Sequence, residues 1–328
     1  MGKFPKGTWI HHLPKEPEQV RNVARRLAEA DFDLVIPCVK NPDGFLDWQS
    51  SVGNIRDHFK EWDPLKILVE EAHERGIQVH PWSCVFAEGR GSKLLQDKPD
   101  LVAVDKEGDP VTPGGSHRLG WACPARDEVQ DYEMALYQEW MDNYPVDGVH
   151  LDYIRYGGGF MCFCDHCRET FKAESGVDPV TLDAQSDLWP KWIDWRVGTI
   201  TKFVQRLREA AKSKGVEVSA AVFAGYPSCV ESIGQDWVEW GKNGLVDYLF
   251  PMNYTLDIKE AVDRANTHIA AVDGACPVWE GLWNKPEMTV PMLIEEIQGV
   301  LQAGVQGLVV FEYYGLSDED IEAIKKLG

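Results

Sequence analysis

Two neighbouring stretches of this chain hold side chains whose types and spacing could do chemistry: Asp147–Tyr156, DGVHLDYIRY, and Cys162–Cys167, CFCDHC. Asp152 follows the apolar run Val149-His150-Leu151, so it should stand at the C-terminal end of a buried strand and point into whatever cavity that strand borders. A carboxylate so placed suits a nucleophile, or a charge stabiliser for an oxocarbenium-like transition state on a sugar. Arg155 and Tyr153 lie close enough in sequence to orient it or keep it ionised, and a purely structural salt bridge to Arg155 is the plainer alternative. Asp147 precedes the strand and reads as a turn residue.

Cys162-x-Cys164-x-x-Cys167 suits tetrahedral Zn²⁺ bound by thiolates, three ligands being one short of a closed site. Cys123, in WACPARDE just before a helical stretch, is the first choice for the fourth; His166, between two of the ligands, is its rival. A closed four-cysteine site leaves no open coordination position, so the zinc is expected to be structural, with no cofactor for catalysis. Cys38, Cys84, Cys229 and Cys276 sit in or near apolar runs and read as small core residues.

Acid/base chemistry on a sugar asks for a second carboxylate. Glu280, set between Trp279 and Trp283, is in surroundings that could raise a carboxyl pKa as a general acid requires. Asp257 follows Pro251-Met-Asn-Tyr-Thr255, and Glu312 precedes Tyr313 and Tyr314. All three stay open as the partner of Asp152, those not used being substrate hydrogen-bonders. His11, His12, Trp82, Arg155, Tyr156, Asn253, Tyr254, Trp283 and Tyr313 are candidate substrate contacts because each ends, or follows, a strand. For any one of the aromatics, core packing is an equal expectation. His80 and His150 lie within apolar runs and read as buried, hydrogen-bonded residues.

Eight apolar runs must position these groups: Thr8–His12, Leu34–Lys40, Gln78–Val85, Gly148–Ile154, Glu217–Phe223, Tyr248–Tyr254, Pro277–Leu282 and Leu308–Tyr313. Amphipathic stretches alternate with them: Pro17–Ala30, Pro64–Arg75, Asp127–Asn143, Trp189–Lys214, Ile258–Val272 and Val290–Ala303. Arg75-Gly76, Lys214-Gly215 and Ala303-Gly304 mark helix ends. Near-continuous apolar strands separated by helices imply a parallel sheet covered on both faces, and eight such units fit one (β/α)₈ TIM barrel over residues 1–328. The long loops after strands three and four, about 86–122 and 157–188, should shape the pocket at the C-terminal ends of the strands.

A net charge of −20 argues against nucleic acid or an anionic membrane as partner. No run of 18 apolar residues is present to span a bilayer. The start, MGKFPKGTWIHH, has no apolar signal region, so the chain is expected to be cytoplasmic, or exported with its signal peptide removed. Its 13 tryptophans exceed what a core needs, and several should line a sugar-binding cleft. No GxSxG elbow and no GxxxxGK[ST] phosphate loop occurs.

Asp147–Tyr156 is similar to the DGIHLDYIRYP signature of the glycosyl-hydrolase-like family 10 group of bacterial barrel proteins, and Pro251–Thr255 matches that group's strand-six motif. The resemblance implies a barrel acting on bacterial glycans, peptidoglycan strands among them; Gly157 stands where the family commonly has proline. Cys123-Pro124 with Cys162–Cys167 resembles the four-cysteine zinc site of family 42 β-galactosidases, which implies zinc and a barrel. The Asn-Glu pair of that family is absent, Leu151-Asp152-Tyr153 standing in its place. The reading is a glycoside hydrolase with paired carboxylates, retention being slightly preferred, and an oligo- or polysaccharide as substrate. The alternatives are a non-catalytic carbohydrate-binding barrel, and a metal-dependent hydrolase using His11, His12 and His80.

Overall fold

The run Leu34–Lys40, LVIPCVK, is apolar on both faces, which suits a strand covered from both sides. In the computed structural model, which describes residues 3–112 and 119–327, it is β2, every residue of it buried. The other strands are β1 (Lys6–Ile10), β3 (Gln78–Val79), β4 (Trp82–Cys84), β5 (Gly148–Asp152), β6 (Glu217–Phe223), β7 (Tyr248–Met252), β8 (Trp279–Trp283) and β9 (Gly307–Phe311). All neighbouring pairs are parallel, and β1 bonds both β2 and β9, which closes the barrel. Pro81 has no N–H to give to a ladder, and the third barrel strand breaks there into β3 and β4. Counting that pair as one gives eight barrel strands, the fold expected from the sequence.

Helices α1 (Pro17–Glu29) and α2 (Pro64–His73) start on proline, whose missing N–H is not needed in a first turn. Around the barrel come α3 (Lys93–Asp97), α4 (Asp127–Asn143), α5 (Asp165–Ser175), α6 (Trp189–Lys214), α7 (Ser228–Ile233), α8 (Trp237–Lys242), α9 (Ile258–Val272), α10 (Val290–Gln302) and α11 (Asp318–Leu327). Gly215 closes α6 in a left-handed conformation (φ 69), as the Lys214-Gly215 signal requires. The short helices α3 and α5 lie within the two long loops, and residues 113–118 of the first loop fall outside the described residues.

Strand side chains alternate between two apolar layers. Val35, Val39, Val149 and Leu151 face the helices; Trp9, Leu34, Ile36, Cys38, Trp82, Phe250 and Trp279 fill the barrel. The large inner rings need gaps opposite them. A Cβ on Gly148 would lie 2.4 Å from the His80 ring, and one on Gly307 2.6 Å from Trp279.

A polar chain crosses this interior. Trp9 Nε1–H donates to His150 Nε2 at 3.0 Å, so that nitrogen keeps its lone pair, and His150 Nδ1 bonds Ser219 Oγ at 2.9 Å. Burial holds His150 neutral, far below its usual pKa. His80 Nδ1 shares the same Ser219 hydroxyl at 2.9 Å. Both histidines are thus buried and hydrogen-bonded, as expected.

Candidate active site

Along β5, Gly148, His150 and Asp152 share the inner face, so period 2 carries the Asp152 carboxylate to the barrel's C-terminal mouth. There it lies in a pocket of about 340 Å³ with Trp9, His11, Pro42, Trp82, Cys84, Tyr153, Arg155, Ala221, Phe223, Ala224, Met252, Tyr254 and Phe311. Asp152 is the only carboxylate among the described lining residues. The next residue, Tyr153, turns left-handed (φ 49), a conformation that costs a bulky side chain on the order of 1–3 kcal/mol. The turn brings Tyr153 N–H back onto Asp152 Oδ1 at 2.6 Å.

Burial pushes Asp152 up to about 6, against the opposing pull of the Arg155 charge, the Tyr153 N–H and the Trp82 indole. Trp82 Nε1 makes no full hydrogen bond, so its effect is that of a nearby dipole. A carboxyl that keeps its proton to near neutrality is suited to donating it. Arg155 forms no ion pair with Asp152 among the described contacts; its Nη1 donates to Tyr156 O at 3.0 Å. The salt-bridge alternative therefore falls away.

His11 lines the pocket, stacked on Trp82 (centroids 5.9 Å, 20° between planes), and its backbone N–H donates to Glu312 Oε2 at 3.0 Å. Burial lowers the His11 pKa, so the ring is neutral near pH 7. Tyr254 stacks on Phe311 (5.4 Å) and lies 5.4 Å from Trp283. Glu312 and Trp283 border an adjoining depression that shares Phe311 with the pocket, and Lys285 Nζ sits 3.4 Å above the Trp283 ring.

Other expected site residues are elsewhere. Glu280 follows an inward-facing Trp279, so it points outward, fully buried, with Oε1 2.9 Å from His268 Nδ1. His268 Nε2 donates to Ala224 O at 2.8 Å; burial works to lower the ring's pKa, but the Glu280 carboxyl and the Ala224 carbonyl outweigh it and hold the pKa above its usual value. Asp257 is exposed, accepts from Glu260 N–H at 3.1 Å as the N-cap of α9, and borders, with Tyr226, a depression that shares Ala224 with the pocket. Asn253 is buried, its Nδ2 donating to Ala261 O at 2.8 Å. Tyr156 is buried beneath the Arg196 guanidinium (4.5 Å), and Tyr313 beneath that of Arg26 (5.3 Å). His12 is exposed and offers its carbonyl to the Tyr314 hydroxyl at 2.8 Å. His80 lies deep in the barrel on Ser219, and does not join His11 and His12 at the mouth.

Among the pocket walls the sequence reading passed over are Trp9, Phe223 and Phe311. Alternation along β1, β6 and β9 marks them as inward-facing once the strand ends are known.

Beside the pocket, Cys123, Cys162, Cys164 and Cys167 are buried with all four sulfurs within 4.8 Å of one another. Cys123–Cys167 is 3.4 Å; Cys164 lies 3.7 Å from each of them. Thiolates 2.3 Å from a tetrahedral ion would be about 3.8 Å apart, so the cluster has the dimensions of a metal site. Val104 N–H donates to Cys162 Sγ at 3.4 Å. His166 turns away, its Nε2 3.1 Å from Ala125 O, so the rival fourth ligand is not in place.

A closed parallel barrel with an acid in an aromatic pocket at its C-terminal mouth is of the (β/α)₈ class, which works at that face. The chain belongs to the glycosyl hydrolase-like 10 family, whose profile matches residues 6–276. An S-layer-related protein of Niallia circulans is 25% identical over 267 residues, covering 68% of this chain and 16% of that protein. Glycosyl hydrolase DigH of Escherichia coli K12 is 26% identical over 250 residues, 65% of this chain and 52% of DigH. The chain thus spans about half of DigH, and a smaller part of the S-layer-related protein. The glycoside hydrolase domain of PgaB (BpsB) from Bordetella bronchiseptica has the same fold, with a TM-score of 0.79, 14% identity and 98% of each chain covered. No helix among the described residues is long and apolar enough to cross a membrane.

Proposed function

We propose that the chain hydrolyses glycosidic bonds in an oligo- or polysaccharide, with Asp152 as the group that protonates the leaving oxygen. The observation that carries this is Asp152 itself: a carboxyl pushed up to about 6, facing a pocket walled by Trp9, Trp82, Tyr254 and Phe311. Flat apolar rings bind the faces of sugars, and the acid stands among them. Depressions sharing Phe311 and Ala224 with the pocket extend the surface for a longer chain.

Of the three acids weighed as its partner, Glu312 borders the mouth, so it takes that part, as nucleophile in a retaining or base in an inverting reaction. Retention is the expected outcome, read by proton NMR of the first-formed anomer. The relatives named glycosyl hydrolase support the reading. Release of reducing ends should be assayed on a polysaccharide panel that includes bacterial-wall glycan strands. Asp152→Asn should lower turnover by about 10²–10⁴-fold with the fold retained. Near-normal rates in that variant would overturn the assignment.

The four cysteines are proposed to hold one structural Zn²⁺. They fit by number, burial and sulfur spacing, and the placement of Cys164 and Cys167 at the start of α5 favours thiolates. The ion would neutralise thiolates and tie the two long loops together; no chemical step passes through it.

A further inference from the structure

Lys40, the last residue of β2, is wholly buried, and its ammonium takes no part in the proposed chemistry. It makes one hydrogen bond for each of its protons: to Glu133 Oε1 and Val85 O at 2.8 Å, and to Cys84 O at 3.1 Å. Glu88 Oε1, at 2.5 Å, is a second ion-pair partner. Glu88 and Glu133 are themselves fully buried. Burial works to lower the Lys40 pKa, but the two glutamates outweigh it and keep the group charged. Burial pushes the Glu133 pKa well up against the pull of Lys40, with Glu88 adding to the rise, so Glu133 keeps its proton. One ammonium, one carboxylate and one carboxylic acid make a neutral set. Replacing a buried ion pair by well-packed apolar side chains is often harmless or stabilising, so stability alone does not explain its presence.

The use lies across one peptide unit. The Cys84 carbonyl accepts from Lys40, and the N–H of that same peptide, on Val85, donates to Asp152 O at 2.8 Å. A charge on the carbonyl polarises the peptide and strengthens the bond made by its N–H. Cys84 is also the ladder partner of Asp152 between β4 and β5, and it lines the pocket. Asp152 needs a firm tether, because the left-handed Tyr153 that follows folds its own N–H back onto Asp152 Oδ1. Beyond Val85 the ladder weakens, Phe86 N–H reaching Tyr153 O only at 3.5 Å. The Val85 N–H is thus the last short tie before the turn. We propose that Lys40 is a positioning residue for Asp152: its ammonium, acting through the Cys84–Val85 peptide, holds the strained turn that aims the acid into the pocket. The inference rests on the reading of Asp152 as proton donor, and adds the group that sets its aim. Lys40 is not among the described residues that line the pocket, so it acts through its neighbours.

Lys40→Met/Glu88→Gln removes the ammonium together with its carboxylate and leaves the neutral Glu133, so no charge is stranded. Without the tether the Asp152 carboxyl should drift out of its dry position. Two quantities should then move that lost stability alone would not. The rise in melting temperature that Asp152→Asn gives at pH 7.5 over pH 4 should fall by about half or more, since an acid that reaches water is no longer penalised for ionising. On any glycan that is cleaved, kcat should drop about 10²-fold while KM stays within about threefold. Glu280→Gln, which breaks a buried pair outside the pocket, is the control: it should leave the Asp152→Asn rise intact and turnover within a few-fold. A readout that does not depend on the double variant folding comes from the intact protein with isotope-labelled lysine. The NMR signal of the Lys40 ammonium should shift as Asp152 titrates, at about 6. The shift should vanish in Asp152→Asn, which separates it from titration of Glu88, Glu133 or Tyr132 nearby. An undiminished Asp152→Asn rise or an unchanged kcat in the folded double variant overturns the inference, and so does a Lys40 signal that ignores Asp152. The hydrolase reading fails separately, by a fully active Asp152→Asn or by no turnover of any glycan; the melting and lysine measurements need no glycan and decide the positioning role alone.

Discussion

The indole N–H of Trp9 donates to His150 Nε2 at 3.0 Å, joining residues 141 positions apart across the barrel. His150 is two residues before Asp152 on the same strand face, so the bond fixes the strand that presents the acid. Trp9→Phe would leave the His150 nitrogen buried and unpaired. It should destabilise the fold by about 1–3 kcal/mol in chemical denaturation, plus lost packing. His150 should also gain affinity for a proton, visible in its ring NMR shifts on titration.

Asp152 should trade stability for activity. Its folded pKa of about 6 stands above the ordinary unfolded value of about 4, so the folded state holds the proton more tightly. Folding is then unpenalised below pH 4, loses stability as pH rises from 4 to 6, and carries the full penalty, on the order of 2–3 kcal/mol, above that. Asp152→Asn should therefore raise the melting temperature at pH 7.5 while turnover collapses, and the gain should disappear at pH 4. A gain of equal size at both pH values would contradict the placement of this proton. Wild-type turnover should fall as pH rises through the pKa of Asp152 in the substrate complex.

Glu280 and Glu312 should separate cleanly. Glu280→Gln breaks the buried His268–Glu280 pair, and breaking a buried ion pair costs about 3–5 kcal/mol. Its turnover per folded molecule should stay within a few-fold of wild type, since Glu280 is outside the pocket. Glu312→Gln should do the reverse, losing about 10²-fold or more in kcat with little change in denaturation midpoint. If Glu280→Gln proved inactive though folded, Asp152 would need another partner.

The cysteine cluster sets the expected metal content. Protein purified without chelator should hold close to one equivalent of zinc, and less than about half would count against the site. Cys123 is two residues after Trp121, whose ring packs 5.8 Å from Tyr153 and under Arg155. Stripping the ion, or Cys164→Ser, should leave far-UV circular dichroism nearly unchanged while weakening glycan turnover about tenfold or more by displacing that wall.

The barrel was legible because strands such as LVIPCVK are apolar on both faces, and because glycine marks helix ends such as Gly215. Asp152 was legible from alternation, and the cysteines from spacing. The outward place of Glu280 was not. The tryptophans around Glu280 made it look like pocket lining, whereas the inward turn of Trp279 sends its neighbour to the helices. Tyr156 and Tyr313 lie past the ends of β5 and β9, where period 2 lapses; after β5 the left-handed turn at Tyr153 redirects the chain. The Trp9–His150–Ser219 chain joins three strands, and no local pattern announces it.

The first long loop is hung from a fixed frame. Ala87 bridges Trp121, Val102 bridges Ala122, Asp105 bridges Met161, and Cys123 joins the cluster. The described part of that loop is tied down internally as well: Val111 is buried, its N–H donates to Ala103 O at 2.8 Å and its carbonyl accepts from Trp121 N–H at 3.1 Å. Loop and cluster therefore move as one piece: a substitution that loosens the cysteines is transmitted along Cys123 to the pocket wall at Trp121 without passing through the strand that carries Asp152.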